Sequence, residues 1–105
     1  MSEYNQTMQS KVLIVDDNPN IISFIQPALE REGYFVVTAN DGHEALYIWE
    51  KEKPHVIILD IEMPEPNGLS VCRAIRDHGD QVPIIFLTVR DSISDLEIGF
   101  VLGAS

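Results

Sequence analysis

The sequence predicts an α/β domain wound around a parallel sheet. Four short apolar runs, 12–15, 34–39, 56–59 and 83–88, alternate with stretches of helical spacing. The first and third runs are apolar throughout rather than every second residue, the mark of strands covered on both faces. The connections between elements are short, so nothing divides the chain and crossovers of the usual right hand close the topology.

Each element has its own signals. Val12-Leu13-Ile14-Val15 is β-branched and apolar, and stops at Asp16-Asp17-Asn18-Pro19. Asn18 is a good N-cap and Pro19 a good first helical residue. Ile21, Ile22, Ile25, Ala28 and Leu29 form the expected apolar stripe of this helix, and Gly33 stands where a C-terminal glycine belongs. Pro27 interrupts the pattern and is expected to kink the helix. Tyr34–Ala39 reads as the second strand, and Asp41 with Glu44 has the spacing of a capping box. The second helix buries Ala45, Leu46 and Trp49, and ends before Pro54. Val56–Leu59 is the third strand, closed by Asp60. Turn formers dominate 61–68, after which Leu69, Cys72 and Ile75 mark a third helix ending at Gly79. Pro83–Thr88 is the fourth strand. Ser92 with Asp95 predicts the cap of a fourth helix running to Leu102 and stopped by Gly103.

At 105 residues the chain has the size of one domain. Hydrophobic residues make up 45% and charged ones 23%, an ordinary globular balance. Seven basic against 17 acidic residues leave a net charge of −10, which opposes direct binding to nucleic acid or anionic lipid. The one cysteine, Cys72, has no partner in sequence for an internal disulfide, which suggests a reducing compartment. Residues 1–10 are polar and lack the pattern of a signal peptide, and no apolar run approaches the ~20 residues of a membrane span. The expectation is a cytoplasmic domain over 11–105 behind a flexible N-terminal leader, 1–10.

In open α/β sheets, ligands sit at the carboxyl ends of the strands. Asp16 and Asp17 follow the first strand and Asp60 ends the third. If those strands are neighbours, three carboxylates converge, and their repulsion calls for a cation. Oxygen ligands with room for water favour a hard divalent ion such as Mg²⁺. A carboxylate beside Mg²⁺ is equipped to attack phosphorus and form an acyl phosphate, and Asp60, alone at the end of a central strand, is the candidate nucleophile. Thr88, at the end of the fourth strand, is placed to hydrogen-bond the transferred group. The plainer alternative is that these acids are turn formers and caps, and Thr88 a strand former.

The segments KVLIVDDNP, ANDGHEAL, VIILDIEMPEPNG, PIIFLT and GAS, in this order, make the chain resemble the receiver domain of two-component response regulators over residues 11–105. The resemblance implies a flavodoxin-like (CheY-like) doubly wound parallel sheet, here of order 2-1-3-4. It implies phosphorylation of Asp60 by a histidine kinase or phosphotransfer protein, and Mg²⁺ held by Asp16, Asp17, Asp60 and the backbone carbonyl of Glu62. It makes Thr88 the switch hydroxyl, and places Glu62 and Arg90 where they modulate dephosphorylation and could pair across the site mouth. The protein would then be a phosphoacceptor rather than an enzyme with turnover, beyond self-catalysed phosphotransfer and dephosphorylation.

The sequence departs from the family pattern in two places. Val89 stands where a small residue is usual and is expected to crowd the phosphoryl pocket. After Ser105 the family continues through a fifth strand, a lysine and a fifth helix. The chain's lysines are Lys11, Lys51 and Lys53, none at that position. Two expectations follow: slower or absent phosphorylation, and an open fourth-strand edge, Ile84–Leu87, that invites self-association or leaves the fourth helix partly disordered. The alternative function is a degenerate receiver that binds partners independently of phosphorylation. A haloacid-dehalogenase-type phosphatase fits less well, because Glu62 replaces its second aspartate. A flavodoxin-type cofactor site would set Asp16 and Asp17 against a phosphate.

Overall fold

The computed structural model describes residues 9–91 and 96–103, with side chains described as far as Thr88. The elements are β1 (Lys11–Val15), α1 (Pro19–Arg31), β2 (Phe35–Ala39), α2 (Gly42–Glu52), β3 (Val56–Asp60), α3 (Gly68–Asp77), β4 (Ile84–Asp91) and β5 (Leu96–Gly103). They form one sheet of order β2-β1-β3-β4-β5. The first four strands are parallel, in the flavodoxin-like order expected. The leader at 1–10 falls almost wholly outside the described residues; at its end the Ser10 carbonyl accepts from the Phe35 amide at 2.9 Å.

The helix starts follow from short polar side chains that satisfy orphan amides. Asn18 accepts from the Asn20 amide at 2.9 Å, with Pro19 at the first helical position. Asp41 accepts from the Glu44 amide at 2.8 Å, but Glu44 returns its bond to the amide of Asn40 rather than of Asp41. Asn67 caps α3 by accepting from the Ser70 amide at 3.0 Å, a start that the turn-rich loop hid from the sequence reading. Helix α1 runs from Pro19 to Arg31 through Pro27.

Two core clusters lie on the two faces of the sheet, because successive strand residues point to opposite sides. Val12, Ile14, Ile58 and Leu87 pack with Ile21, Ile22 and Ile25 of α1. Leu13, Val15, Ile57 and Leu59 pack with Ala45 of α2 and with Val71, Cys72 and Ile75 of α3. Two expected stripe members face outward instead. Ala28 is exposed and Leu69 is 52% exposed; Gly68 and Val71 take the inward positions of α3. Helix α3 begins at Gly68, and Cys72 and Ile75 of the expected stripe face inward while Leu69 does not.

The last element is a correction. The expected fourth helix over Ser92–Leu102 is not formed: Leu96–Gly103 is a strand, antiparallel to β4, with Ile84 opposite Gly103 and Asp91 opposite Leu96. Its expected cap residues, Ser92 and Asp95, lie outside the described residues. A helix there would place Gly99 in its interior and leave the outer backbone groups of β4 unpaired. A strand supplies partners along the whole of β4, which extends to Asp91. The fourth-strand edge expected to be open is therefore covered, and the basis for self-association through it is removed. The outer edge on that side belongs to β5.

Candidate functional site

Strand register brings the acids together. Val15 pairs with Leu59 and Asp60 with Leu87, so Asp16 and Asp60 stand side by side at the ends of β1 and β3, and Thr88, expected to end the fourth strand, lies instead within β4 one residue beyond the partner of Asp60. Asp16 follows Ile14 by two positions and Asp60 follows Ile58 by two, so both carboxylates come up on the side of the sheet that carries α1. There they line a cleft of about 250 Å³, together with Asp17, Asn18, Glu62 and Thr88.

Asp16 and Asp60 are buried, at 2% and 8% exposure, while Asp17 is exposed. Each of the three offers a carboxylate oxygen, and these oxygens all lie within 4.8 Å of one another. Backbone amides hold the two buried groups in place. Asp16 Oδ1 accepts from the Asn18 amide at 2.8 Å, and Asp60 Oδ1 accepts from the Glu62 amide at 3.1 Å. Asp16 Oδ2 is buried without a protein partner. An orphaned buried carboxylate oxygen beside two further carboxylates fits a hard cation with oxygen ligands.

The electrostatics agree. Burial, then the charge of Asp16, pushes the Asp60 carboxyl up to about 7, against the opposing hydrogen bond from Glu62. Burial also raises Asp16; its bond from Asn18 acts the other way and the neighbouring charge of Asp17 adds to the rise. Without a cation, the site therefore favours retention of a proton.

The other sequence candidates divide. Thr88 is exposed and lines the cleft, and the Glu62 side chain is exposed at its rim. Val89 and Arg90 belong to β4 by backbone, but their side chains lie outside the described ones, so neither crowding by Val89 nor a Glu62–Arg90 pair is visible. No lysine lines the cleft: Lys11 binds Glu52 at 3.0 Å, Lys51 lies 5.8 Å from the centre of the Tyr47 ring, and Lys53 donates to the Glu50 carbonyl. The sequence reading missed Asn18 as the residue that orients Asp16. The donor is the Asn18 backbone amide, which any residue but proline would supply, so the residue type carries no signal for it; the Asn side chain serves the cap.

The comparisons with known proteins point the same way. The family described as response regulator receiver domain matches residues 12–105. The alkaline phosphatase synthesis transcriptional regulatory protein PhoP of Bacillus subtilis is 44% identical over 92% of the chain, which spans 40% of that protein. The chemotaxis protein CheY4 of Vibrio cholerae superposes with a TM-score of 0.73 at 38% identity, over 82% of this chain and 73% of that one. The response regulator TrrA of Thermotoga maritima, solved in complex with Mg²⁺-BeF, superposes with a TM-score of 0.69 at 39% identity, over 72% and 66%. The sheet order, the acid cluster at its carboxyl end and these similarities agree: the chain belongs to the response regulator receiver domains, the phosphoacceptor modules of two-component signalling.

Proposed function

We propose that Asp60 is the phosphoacceptor. The observation that carries this reading is the convergence of Asp16, Asp17 and Asp60, with Asp16 Oδ2 buried and unpartnered. An oxygen of Asp60 attacks phosphorus while the bond from phosphorus to the donor's histidine nitrogen breaks, leaving an acyl phosphate on the chain. Asp16, Asp17, Asp60 and the Glu62 carbonyl would hold Mg²⁺, which supplies charge neutralisation for the phosphoryl oxygens. Asn18 and Glu62 orient the two buried carboxylates through their amides. Thr88 lies where its hydroxyl meets the transferred group, and Glu62, Val89 and Arg90 set water access at the mouth.

The donor is a histidine kinase or phosphotransfer protein, and residues 11–105 form the receiver behind a leader at 1–10. This module is a phosphoacceptor rather than a turnover enzyme. The net charge of −10 argues against nucleic acid or anionic membrane as its own ligand. No helix among the described residues is long and apolar enough to cross a membrane. A cytoplasmic location is part of the same proposal. The test is incubation with acetyl phosphate and Mg²⁺ followed by intact-mass measurement. A gain of one phosphoryl group that is absent in Asp60→Asn supports the reading. No gain overturns it and leaves a phosphorylation-independent interaction module, and a gain that persists in the variant overturns Asp60 as the acceptor.

A further inference from the structure

We propose that Gly42 and Gly68 are positioning residues for Asp60, clamping the 61–67 loop between the phosphoacceptor peptide and the start of α2. The inference rests on Asp60 as the phosphoacceptor. Both glycines are buried first residues of helices. Neither has the positive φ that marks Gly33, so their backbone conformation alone does not demand glycine. Alanine suits a helix better than glycine, which leaves close approach as the reason no side chain is tolerated.

At Gly68 a Cβ would overlap the carbonyl oxygen of Asp60 and come within 2.9 Å of the Asp60 carbonyl carbon and of Ile61 Cα. All three are backbone atoms and none has a rotamer by which to move aside. The Gly68 amide also donates to the Ile61 carbonyl at 3.2 Å, closing the loop on itself. At Gly42 a Cβ would overlap the Pro66 carbonyl oxygen and stand 2.6 Å from Pro66 Cγ. The loop is thus seated against α2 at Pro66 and against Asp60 at Gly68. Ahead of both seats, in the same loop, the Glu62 amide donates to Asp60 Oδ1 at 3.1 Å. A methyl group at either glycine must move the loop, and with it the donor that orients the carboxylate.

The experiment compares Gly42→Ala and Gly68→Ala with Gly33→Ala, read by two measurements. Gly33 has φ +95 and no atom within 4 Å of where a Cβ would stand, so alanine there strains the backbone without touching the site. The first measurement is the phosphorylation rate with saturating acetyl phosphate and Mg²⁺; the second is hydrogen exchange at the Glu62 amide. The clamp predicts a rate loss of about 10- to 100-fold in Gly42→Ala and Gly68→Ala, as expected for a misplaced reacting group. It also predicts faster Glu62 exchange in those two variants, with both readouts unchanged in Gly33→Ala. Wild-type rate and exchange in the two folded variants, or losses equal to those of Gly33→Ala, overturn the proposal. If the wild type takes up no phosphoryl group, the reading of Asp60 fails and the Glu62 amide alone decides the clamp. If Gly68→Ala does not fold, Gly42→Ala, whose contact is with Pro66, decides it.

Discussion

Asp16 and Asp60 leave adjacent parallel strands at the same level, one residue beyond the Val15–Leu59 pair, and both are buried with one oxygen held by a backbone amide two residues on. The repulsion between them is built into the sheet register. Relieving it without displacing the strands requires a proton, a cation or the loss of one charge.

Removing that charge is expected to stabilise the fold. In metal-free buffer Asp60→Asn is expected to gain about 1–2 kcal/mol over wild type, after allowance for screening in a cleft open to solvent. Urea unfolding in the presence of a chelator measures it. Added Mg²⁺ is expected to raise the wild-type midpoint by mass action and to raise that of Asp16→Asn much less.

The same group sets a pH dependence. Asp60 is raised in the folded state from 3.8 to about 7, so between those values the native state binds more protons than the unfolded state. Stability from this group therefore falls as pH rises through that window. The advantage of Asp60→Asn is expected to be complete above pH about 7 and to vanish toward pH about 4. A constant difference between variant and wild type from pH 5 to pH 8 would contradict the assignment.

Away from the site, Asp80 ties α2 to the turn before β4. It accepts from Trp49 Nε1 at 2.8 Å and from the Val82 amide at 2.9 Å, while Arg76 donates to the Asp80 and Val82 carbonyls at 3.0 and 2.7 Å. Asp80→Ala leaves two donors without their acceptor and is expected to cost about 2–3 kcal/mol. Denaturant unfolding measures the loss, and Trp49 emission shifts with it.

The outward turn of Leu69 on α3 is open to a direct comparison. Ile75 is fully buried and Leu69 is 52% exposed. Ile75→Ala is expected to cost about 2–5 kcal/mol, against no more than about 0.5 kcal/mol for Leu69→Ala. Similar losses at the two positions in thermal or urea unfolding would place Leu69 in the core after all.

The β4–β5 pairing sets Thr88 opposite Gly99 and Phe86 opposite Val101. Nuclear Overhauser spectra are expected to show cross-strand α-proton contacts in this ladder and only weak sequential amide contacts over 96–103. Strong sequential amide contacts there would restore the helix that the capping residues suggested.

Much of this architecture was legible in the residues. Apolar runs such as Val12–Val15 declare strands covered on both faces, Asn18-Pro19 and Asp41 declare helix starts, and acids directly after two strands declare the functional end of the sheet. Periodicity and capping are local, so a linear chain displays them. Position and charge already suggested roles for Asp60, Asp16, Asp17 and Thr88, the resemblance implies the same roles, and the geometry gathers all four at one cleft.

What needed the tertiary structure was everything set by contact between distant segments. Leu69 is apolar and well spaced, yet faces outward because Asn67 caps α3 and Gly68 takes the inward position. Ser92–Leu102 carries helix signals, but the unpaired edge of β4 offers Leu96–Gly103 a full ladder of backbone partners, and local propensity yields to it. The demand on Gly42 and Gly68 was equally hidden: what excludes a side chain is another segment's carbonyl, and a close approach leaves no periodic trace in sequence. By itself the sequence determined which acids stand at strand ends. The register between β1 and β3, which only packing decides, placed them within reach of one another and made them a candidate site.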